Sequence, residues 1–248
     1  MISAAIITFN EEKNIGRCLD SLTGVADEIV VVDSFSTDET EKICRKKNVR
    51  FIQHPFEGYI QQKNFALTQV NHDYVLALDA DECLSEELNQ SILMAKQNLI
   101  MNAYAMNRLN NFCGKWIHHS GWYPDRKIRL WKKEKGSWGG VNPHDKVLMQ
   151  QGSMIGFLQG DLLHYTVTSI EQFKLQQEEF ALIAAKEIFN KGKKTARLVI
   201  FMKAALMFIR RYFFQLGFLD GYYGWAICKE AAKCTYRKYE KAHEYFRN

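Results

Sequence analysis

Tyr74-Val75-Leu76-Ala77-Leu78-Asp79-Ala80-Asp81-Glu82 decides how this chain folds. An apolar run that stops abruptly at acids is the pattern of a strand covered on both faces, and such strands belong to parallel sheets. Upstream, Ala4–Thr8, Glu28–Val32 and Arg50–Gln53 read as further strands. Helical patterns separate them. Asn10 is expected to cap a helix with Glu11 and Glu12 in its first turn and Ile15, Cys18, Leu19 and Leu22 on its apolar face. Ser36 with Glu39 reads as a capping box for a second helix, and Gln61–Gln69 as a third. Downstream, Ser85 caps a helix carrying Leu88, Ile92, Ala95 and Leu99. Strand–helix alternation with short connections predicts an α/β fold, with a parallel sheet flanked by helices and ligands beyond the strand carboxyl ends.

Three polar segments fall at those ends: Thr8-Phe9-Asn10-Glu11, Asp33-Ser34-Phe35-Ser36-Thr37-Asp38 and Asp79-Ala80-Asp81-Glu82. Parallel topology brings them to one rim. Acids gathered there repel one another unless a cation or hydrogen-bond donors occupy the site. An Asp-x-Asp after a buried strand suits a divalent cation, with a neighbouring carboxylate accepting from ribose hydroxyls. The plainer alternative is that each Asp caps the helix that follows it.

Beyond Ile100 the texture changes. Residues 101–167 are rich in Trp, Tyr, His and Asn, with short strand-like pieces such as Ile128–Trp131 and no clean helix. Glu171–Phe189 reads as helical, and Leu198–Tyr223 is strongly apolar and aromatic. The 248 residues include 6 cysteines with neither Cys-x-x-Cys nor zinc-ligand spacing, so free thiols in a reducing cytoplasmic compartment are expected. Met1–Thr8 runs straight into strand pattern without a basic leader. From Lys191 onward, 13 Lys and Arg against 4 Asp and Glu give +9, which leaves −4 for residues 1–190 of the overall +5.

The three strand ends together resemble family 2 glycosyltransferases of the GT-A fold. That family shows a Thr-(Phe/Tyr)-Asn-Glu strand end, then Val-Asp-(Asp/Ser)-x-Ser-x-Asp, then Leu-Asp-x-Asp; here these are Thr8–Glu11, Val32–Asp38 and Leu78–Asp81. Gln62-Lys63-Asn64 matches the segment between the last two. The resemblance covers residues 1–110 and rests on the order and spacing of all four. It implies a mostly parallel central sheet flanked by helices, with a C-terminal helical extension. A GT-A catalytic domain over 1–167, split into a donor-binding half (1–100) and an acceptor half (101–167), would precede helices over 168–248. It implies a nucleotide-sugar donor, UDP-linked, and a Mg2+ or Mn2+ cofactor. Thr8 and Phe9 would line the base and ribose pocket within the donor-binding Thr8–Glu11 segment, Asn10 and Glu11 included. Asp33 would accept from the nucleobase, with Ser36 and Asp38 near it. Lys63 would approach the diphosphate or base, Asp79 the ribose, and Asp81 would ligate the metal.

An inverting transferase needs a base opposite the leaving nucleotide to take the acceptor hydroxyl's proton. Asp145, in Trp138-Gly139-Gly140-Val141-Asn142-Pro143-His144-Asp145, is the candidate. Its position resembles the acid after a Trp/Gly-rich loop in the bacterial lipopolysaccharide-core glucosyltransferase branch, which usually has Glu there. The same branch shows patterns like Gly121-Trp122-Tyr123-Pro124-Asp125, Lys127-x-Arg129-Leu130 and Leu158-x-Gly160-x-Leu162-x-His164. Asp125 is a rival base in a turn-like context, and His164 a candidate second metal ligand. Trp116, Trp122, Trp131 and Trp138 offer ring faces to a sugar or fill the core. The branch implies a cell-envelope glycan or lipid-linked saccharide as acceptor.

Leu198–Ile209 is too short to span a bilayer, and Tyr212–Cys228 is broken by Gln215, Gly217, Asp220, Gly221 and Gly224. Lys193, Lys194, Arg197, Arg210, Arg211 and Lys229 flank these segments, so residues 191–248 are expected to lie on the inner face of the cytoplasmic membrane, or else to form a lid or dimer contact. No nucleic-acid fold accompanies the basic residues. Two rival functions share the Asp-x-Asp: a haloacid-dehalogenase-like phosphatase, which would place Thr or Val where Cys83 stands, and a non-catalytic sugar-nucleotide scaffold.

Overall fold

The computed structural model describes residues 1–141 and 144–247, divided between two compact units. The first comprises residues 1–108 and 125–165. It opens with β1 (Ile2–Thr8), α1 (Ile15–Ser21), β2 (Glu28–Asp33), α2 (Thr40–Lys46), β3 (Arg50–Gln53), α3 (Tyr59–Gln69) and β4 (Tyr74–Asp79). There follow β5 (Glu82–Leu84), α4 (Glu86–Lys96), β6 (Ala103–Phe112), β7 (Lys115–Ile117) and β8 (Asp125–Lys132), then β9 (Gly136–Val141), β10 (His144–Met149) and β11 (Ile155–Val167). β7 and the last residues of β6 and β11 belong to the second unit.

The sheet order is β3-β2-β1-β4-β8-β6-β11-β5. Its first four strands are parallel, as the apolar runs predict, and β8 continues it antiparallel to β4. Both faces are covered. Ile2, Ala4 and Ile6 point into a core with Ile15, Leu19, Leu88 and Ile92, whereas Ala5, Val30, Val32, Val75 and Ala77 meet Ala66, Leu67 and Trp131 on the other side. Alternation along one strand thus feeds two cores, which is why β1, β2 and β4 are apolar along their centres.

Two expected caps are corrected. α1 begins at Ile15 rather than after Asn10, whose backbone is left-handed at φ 54° and whose side chain accepts from Thr37 N at 2.8 Å. α2 begins at Thr40, and Ser36 bonds Asp33 and the Asn10 amide instead of closing a capping box. Both residues hold one loop to another, a use that local spacing cannot reveal. Ser85 caps α4 as expected, accepting from Leu88 N at 3.2 Å, and it also accepts from Asp161 N of β11 at 3.0 Å.

The second unit comprises residues 109–124 and 166–248 and contains α5 (Ile170–Asn190), α6 (Arg197–Ile209) and α7 (Gly221–Tyr245). Phe112, Ile117, Val167, Phe173 and Ile227 form its core. Buried Asp220 organises the turn before α7, accepting from the His118 and His119 amides and the Ser120 hydroxyl at 3.0–3.3 Å. All six cysteines are free, and burial pushes the Cys44 thiol up to about 12, which suits structural rather than reactive roles.

Gly160 sits at φ +89° where β11 passes the start of α4, and an added Cβ would lie 2.3 Å from Leu88 N and 2.8 Å from the Glu87 carbonyl carbon. Both neighbours are backbone and cannot swing away. Gly160→Ala is therefore expected to lower stability by roughly 2–5 kcal/mol in denaturant titration. A loss below about 1 kcal/mol would show that α4 yields freely.

Candidate functional site

Register assembles the rim. Thr8 pairs with Asp33 of β2, while Ile7 pairs with Asp79 of β4, so three strand ends finish side by side. Antiparallel pairing of β11 with β5 sets His164 opposite Glu82, next to Asp81.

Gln62, Lys63 and Asn64 of α3 tie this rim together. Gln62 donates to Ser34 Oγ at 3.0 Å and the His54 carbonyl at 3.2 Å. Asn64 donates to the Trp138 carbonyl at 2.9 Å and accepts from its amide at 3.0 Å, fixing β9. Lys63 Nζ, on a side chain only 7% exposed, lies 2.8 Å from Asp145 Oδ2 and 2.9 Å from Asp79 Oδ1. The approach to Asp79 Oδ1 is too bent for a hydrogen bond, and the ammonium donates to Oδ2 at 3.2 Å instead. Asp79 and Asp145 thus meet across one cation.

The pairing continues inward. Arg129 Nη2 lies 3.2 Å from Asp79 Oδ2 and 2.6 Å from Glu82 Oε1, and Arg108 reaches Glu82 at 3.4 Å and Asp125 at 2.8 Å. Burial alone would raise the Asp79 carboxyl, but Lys63 and Arg129 beside it outweigh that and hold it well below the usual carboxylate range. The Arg129 guanidinium is held above its ordinary value; burial opposes this, and Glu82, Asp79 and Asp145 override it. Its Nε and Nη1 are buried without hydrogen-bond partners among the described residues. The guanidinium therefore lies closed off from solvent, its charge matched by Asp79 and Glu82. Sequence patterns assign no role to Glu82, Arg108 or Arg129. Glu82 directly follows Asp81, and Arg129 stands between apolar Ile128 and Leu130; those two positions are the signals that could expose Glu82 and Arg129.

Asp81 stands apart from this chain. Its Oδ2 lies 3.2 Å from His164 Nε2, so a carboxylate and an imidazole already face one point. An oxygen and a nitrogen donor converging in this way are a pair that would suit a Mg2+ or Mn2+ ion. Among the described residues no three His, Cys, Asp or Glu side chains form a complete metal cage. Burial raises the Glu11 carboxyl, with the charges of Asp81 and Asp38 adding to it.

The other expected donor-side residues are tied together by hydrogen bonds between the loops. Buried Asp33 accepts from Ser36 N at 2.8 Å and Ser36 Oγ at 2.5 Å. Asp38 accepts from Glu12 N and Thr40 N, both at 3.0 Å. Asn10 and Ser36 close the same clamp, and together these bonds fix the β1 and β2 loops against each other. Thr8 is buried, its hydroxyl without a partner among the described residues, while Phe9 stands exposed beyond it. Trp131 and Trp138 are core rings packed edge to face at 5.9 Å, so neither offers a face to a sugar. Lys63 Nζ lies 4.5 Å and Arg129 Cζ 5.4 Å from the Trp138 centroid, which lends both cations an electron-rich face.

The family described as Glycosyl transferase family 2 matches residues 3–154. The chain belongs to that family. A glycosyltransferase of Rickettsia typhi is 32% identical over 233 residues, covering 90% of this chain and 80% of its own. The lipopolysaccharide core biosynthesis glycosyltransferase LpsC of Rhizobium meliloti is 28% identical over 224 residues, covering 86% and 80%. Among solved structures, Staphylococcus aureus TarS residues 1–349 aligns over 99% of this chain and 91% of that one, at 18% identity and TM-score 0.45. Glucosyl-3-phosphoglycerate synthase of Mycobacterium tuberculosis, solved with Mn2+ and UDP, aligns over 45% of this chain and 44% of its own, at 21% identity and TM-score 0.37. The mixed α/β sheet flanked by helices, with helices at the C-terminus, is the GT-A architecture that the resemblance implies. Family membership sets aside the phosphatase alternative.

The Lys63 pairing has a measurable acid side. A carboxyl held low in the folded state contributes stability that is complete above about pH 4 and is lost as pH falls toward the folded value. Lys63→Met leaves Asp79 and Asp145 facing each other and is expected to cost about 3–5 kcal/mol at pH 7. The deficit relative to the parent should shrink on acidification, as Asp79 takes up a proton. Melting curves carried from neutral pH down to about pH 2 check this, with the change expected below about pH 4; a deficit that stays constant over that lower range would remove the electrostatic account.

Proposed function

We propose that this glycosyltransferase moves a sugar, with inversion, from a UDP-linked or similar nucleotide-diphosphate donor to a cell-envelope glycan or lipid-linked saccharide such as lipopolysaccharide core. The observation that carries this reading is Lys63 Nζ held between Asp79 and Asp145 at the strand-end rim. LpsC, by its name an enzyme of lipopolysaccharide core biosynthesis, supports the choice of acceptor.

In this reading the acceptor oxygen attacks the anomeric carbon as the bond to the diphosphate oxygen breaks. The electron pair leaves with the nucleotide, and Asp145 Oδ2 receives the hydroxyl proton. Asp81 and His164 would hold a divalent cation, whose chemistry is to take up negative charge on the departing diphosphate. Lys63 then has two roles. It occupies Asp145 Oδ2 while no donor is present, and a diphosphate gives its ammonium a competing anionic partner. Arg129, buried behind Asp79, adds positive charge to the same end of the site. Phe9 offers an exposed ring to the base, and Asp79 faces the ribose. Residues 1–167 act as the catalytic part and 168–248 as the appended helices. The enzyme works in the cytoplasm at the inner membrane face, where a lipid-linked acceptor is presented.

A nucleotide-sugar panel read by thermal shift, with and without Mn2+, tests the donor site. One sugar nucleotide should stabilise the protein in a Mn2+-dependent way, and Asp81→Ala should abolish the shift. Failure of every nucleotide sugar would overturn the reading. Asp145→Asn should keep the donor-induced shift while transfer falls by about 10²–10⁴-fold in a product assay. Transfer that persists at parental rate places the base elsewhere, with Asp125 next in line.

A further inference from the structure

We infer that α6 and the turn after it form an in-plane anchor for an anionic lipid bilayer. Leu198, Met202, Leu206, Ile209 and Phe213 recur at intervals of four, four, three and four residues, one stripe of a helix, and every one of them is exposed. Ile200, off that stripe, is buried. The stripe is flanked and extended by some of the most exposed apolar side chains in the chain: Phe214 at 80%, Leu198 at 71% and Phe201 at 64%. Scattered exposed apolar residues are ordinary, but a continuous aromatic and aliphatic stripe marks a surface that something covers.

Charge identifies what covers it. From Arg197 through Lys229 the chain carries a single acid, Asp220, and that carboxylate is buried under bonds from His118, His119 and Ser120. Lys191, Lys193, Lys194 and Arg197 stand exposed before the stripe, and Arg210 within it. A second copy would bring two surfaces of like charge together, each from a segment of net +9. Anionic headgroups neutralise that charge while acyl chains take up the rings. At 13 residues α6 is too short to span, and no helix among the described residues is long and apolar enough to cross a membrane, so the stripe lies along the interface. The anchor deepens the membrane contact proposed above, yet it stands on the helix surface and not on the transfer chemistry.

The full chain is sedimented with phosphatidylcholine vesicles, with and without phosphatidylglycerol. Binding should require the anionic lipid and weaken with salt. Phe201→Ser combined with Phe214→Ser should lower partitioning on the order of tenfold or more, as should Lys193→Glu combined with Lys194→Glu. The nucleotide-sugar thermal shift should be unchanged in both, which also shows that they fold. Equal partitioning to neutral and anionic vesicles would overturn the anchor, as would undiminished binding by both variants. A concentration-dependent dimer that Phe214→Ser dissolves would do the same, because a second copy then covers the stripe. Vesicle binding without any nucleotide-sugar shift would instead remove the transferase reading and leave the anchor standing.

Discussion

An ammonium group buried between two carboxylates governs the rim of this sheet. Lys63 can be so enclosed only because Asp79 and Asp145 lie within 2.9 Å of it, and Trp138 backs it with a ring face. The carboxylates in turn tolerate each other only because the cation is there. From this pairing the alternation of charge runs through buried Arg129 and Glu82 and out again through Arg108 to Asp125. Each member compensates the desolvation of its neighbour, so the chain holds ionised groups in a site whose surroundings are apolar strands.

That electrostatic chain meets a second, purely positional device. The clamp between the β1 and β2 loops commits Asn10, Ser36 and Asp38 to backbone amides and thereby fixes where Thr8 and Phe9 end. Gln62 and Asn64, the neighbours of Lys63, do the same for Ser34 and Trp138. Side chains bonded across the loops in this way hold the walls of the rim in place, which preorganises it for whatever it binds.

The donor half is legible in the sequence because its strands are covered on both faces. Tyr74–Asp79 and Glu28–Asp33 leave apolar runs with nothing else to be, and acids at their ends mark the rim. The roles of those acids are less legible. Asp33 closes β2, and Asp38 and Asp81 lie in the loops after β2 and β4, yet Asp33 and Asp38 bond backbone amides or a neighbouring hydroxyl while Asp81 faces an imidazole. Local sequence does not distinguish a carboxylate that caps from one that binds, since both uses reward the same geometry. β6 and β8 are hidden for another reason. Both strands mix polar and apolar residues, and the burial of Arg129 makes sense only once Glu82 and Asp79 are known to face it. Trp131 and Trp138 are ambiguous between core and surface by pattern, and packing against each other resolves them as core.

The most direct measurement of the central claim is anomalous diffraction from a crystal soaked with Mn2+ and a nucleoside diphosphate. The account predicts one manganese peak bonded to Asp81 and to the diphosphate, with Lys63 drawn from Asp145 toward the phosphates. A peak remote from Asp81, or a diphosphate bound away from Lys63 and Arg129 while the Lys63–Asp145 pair stays closed, would contradict it.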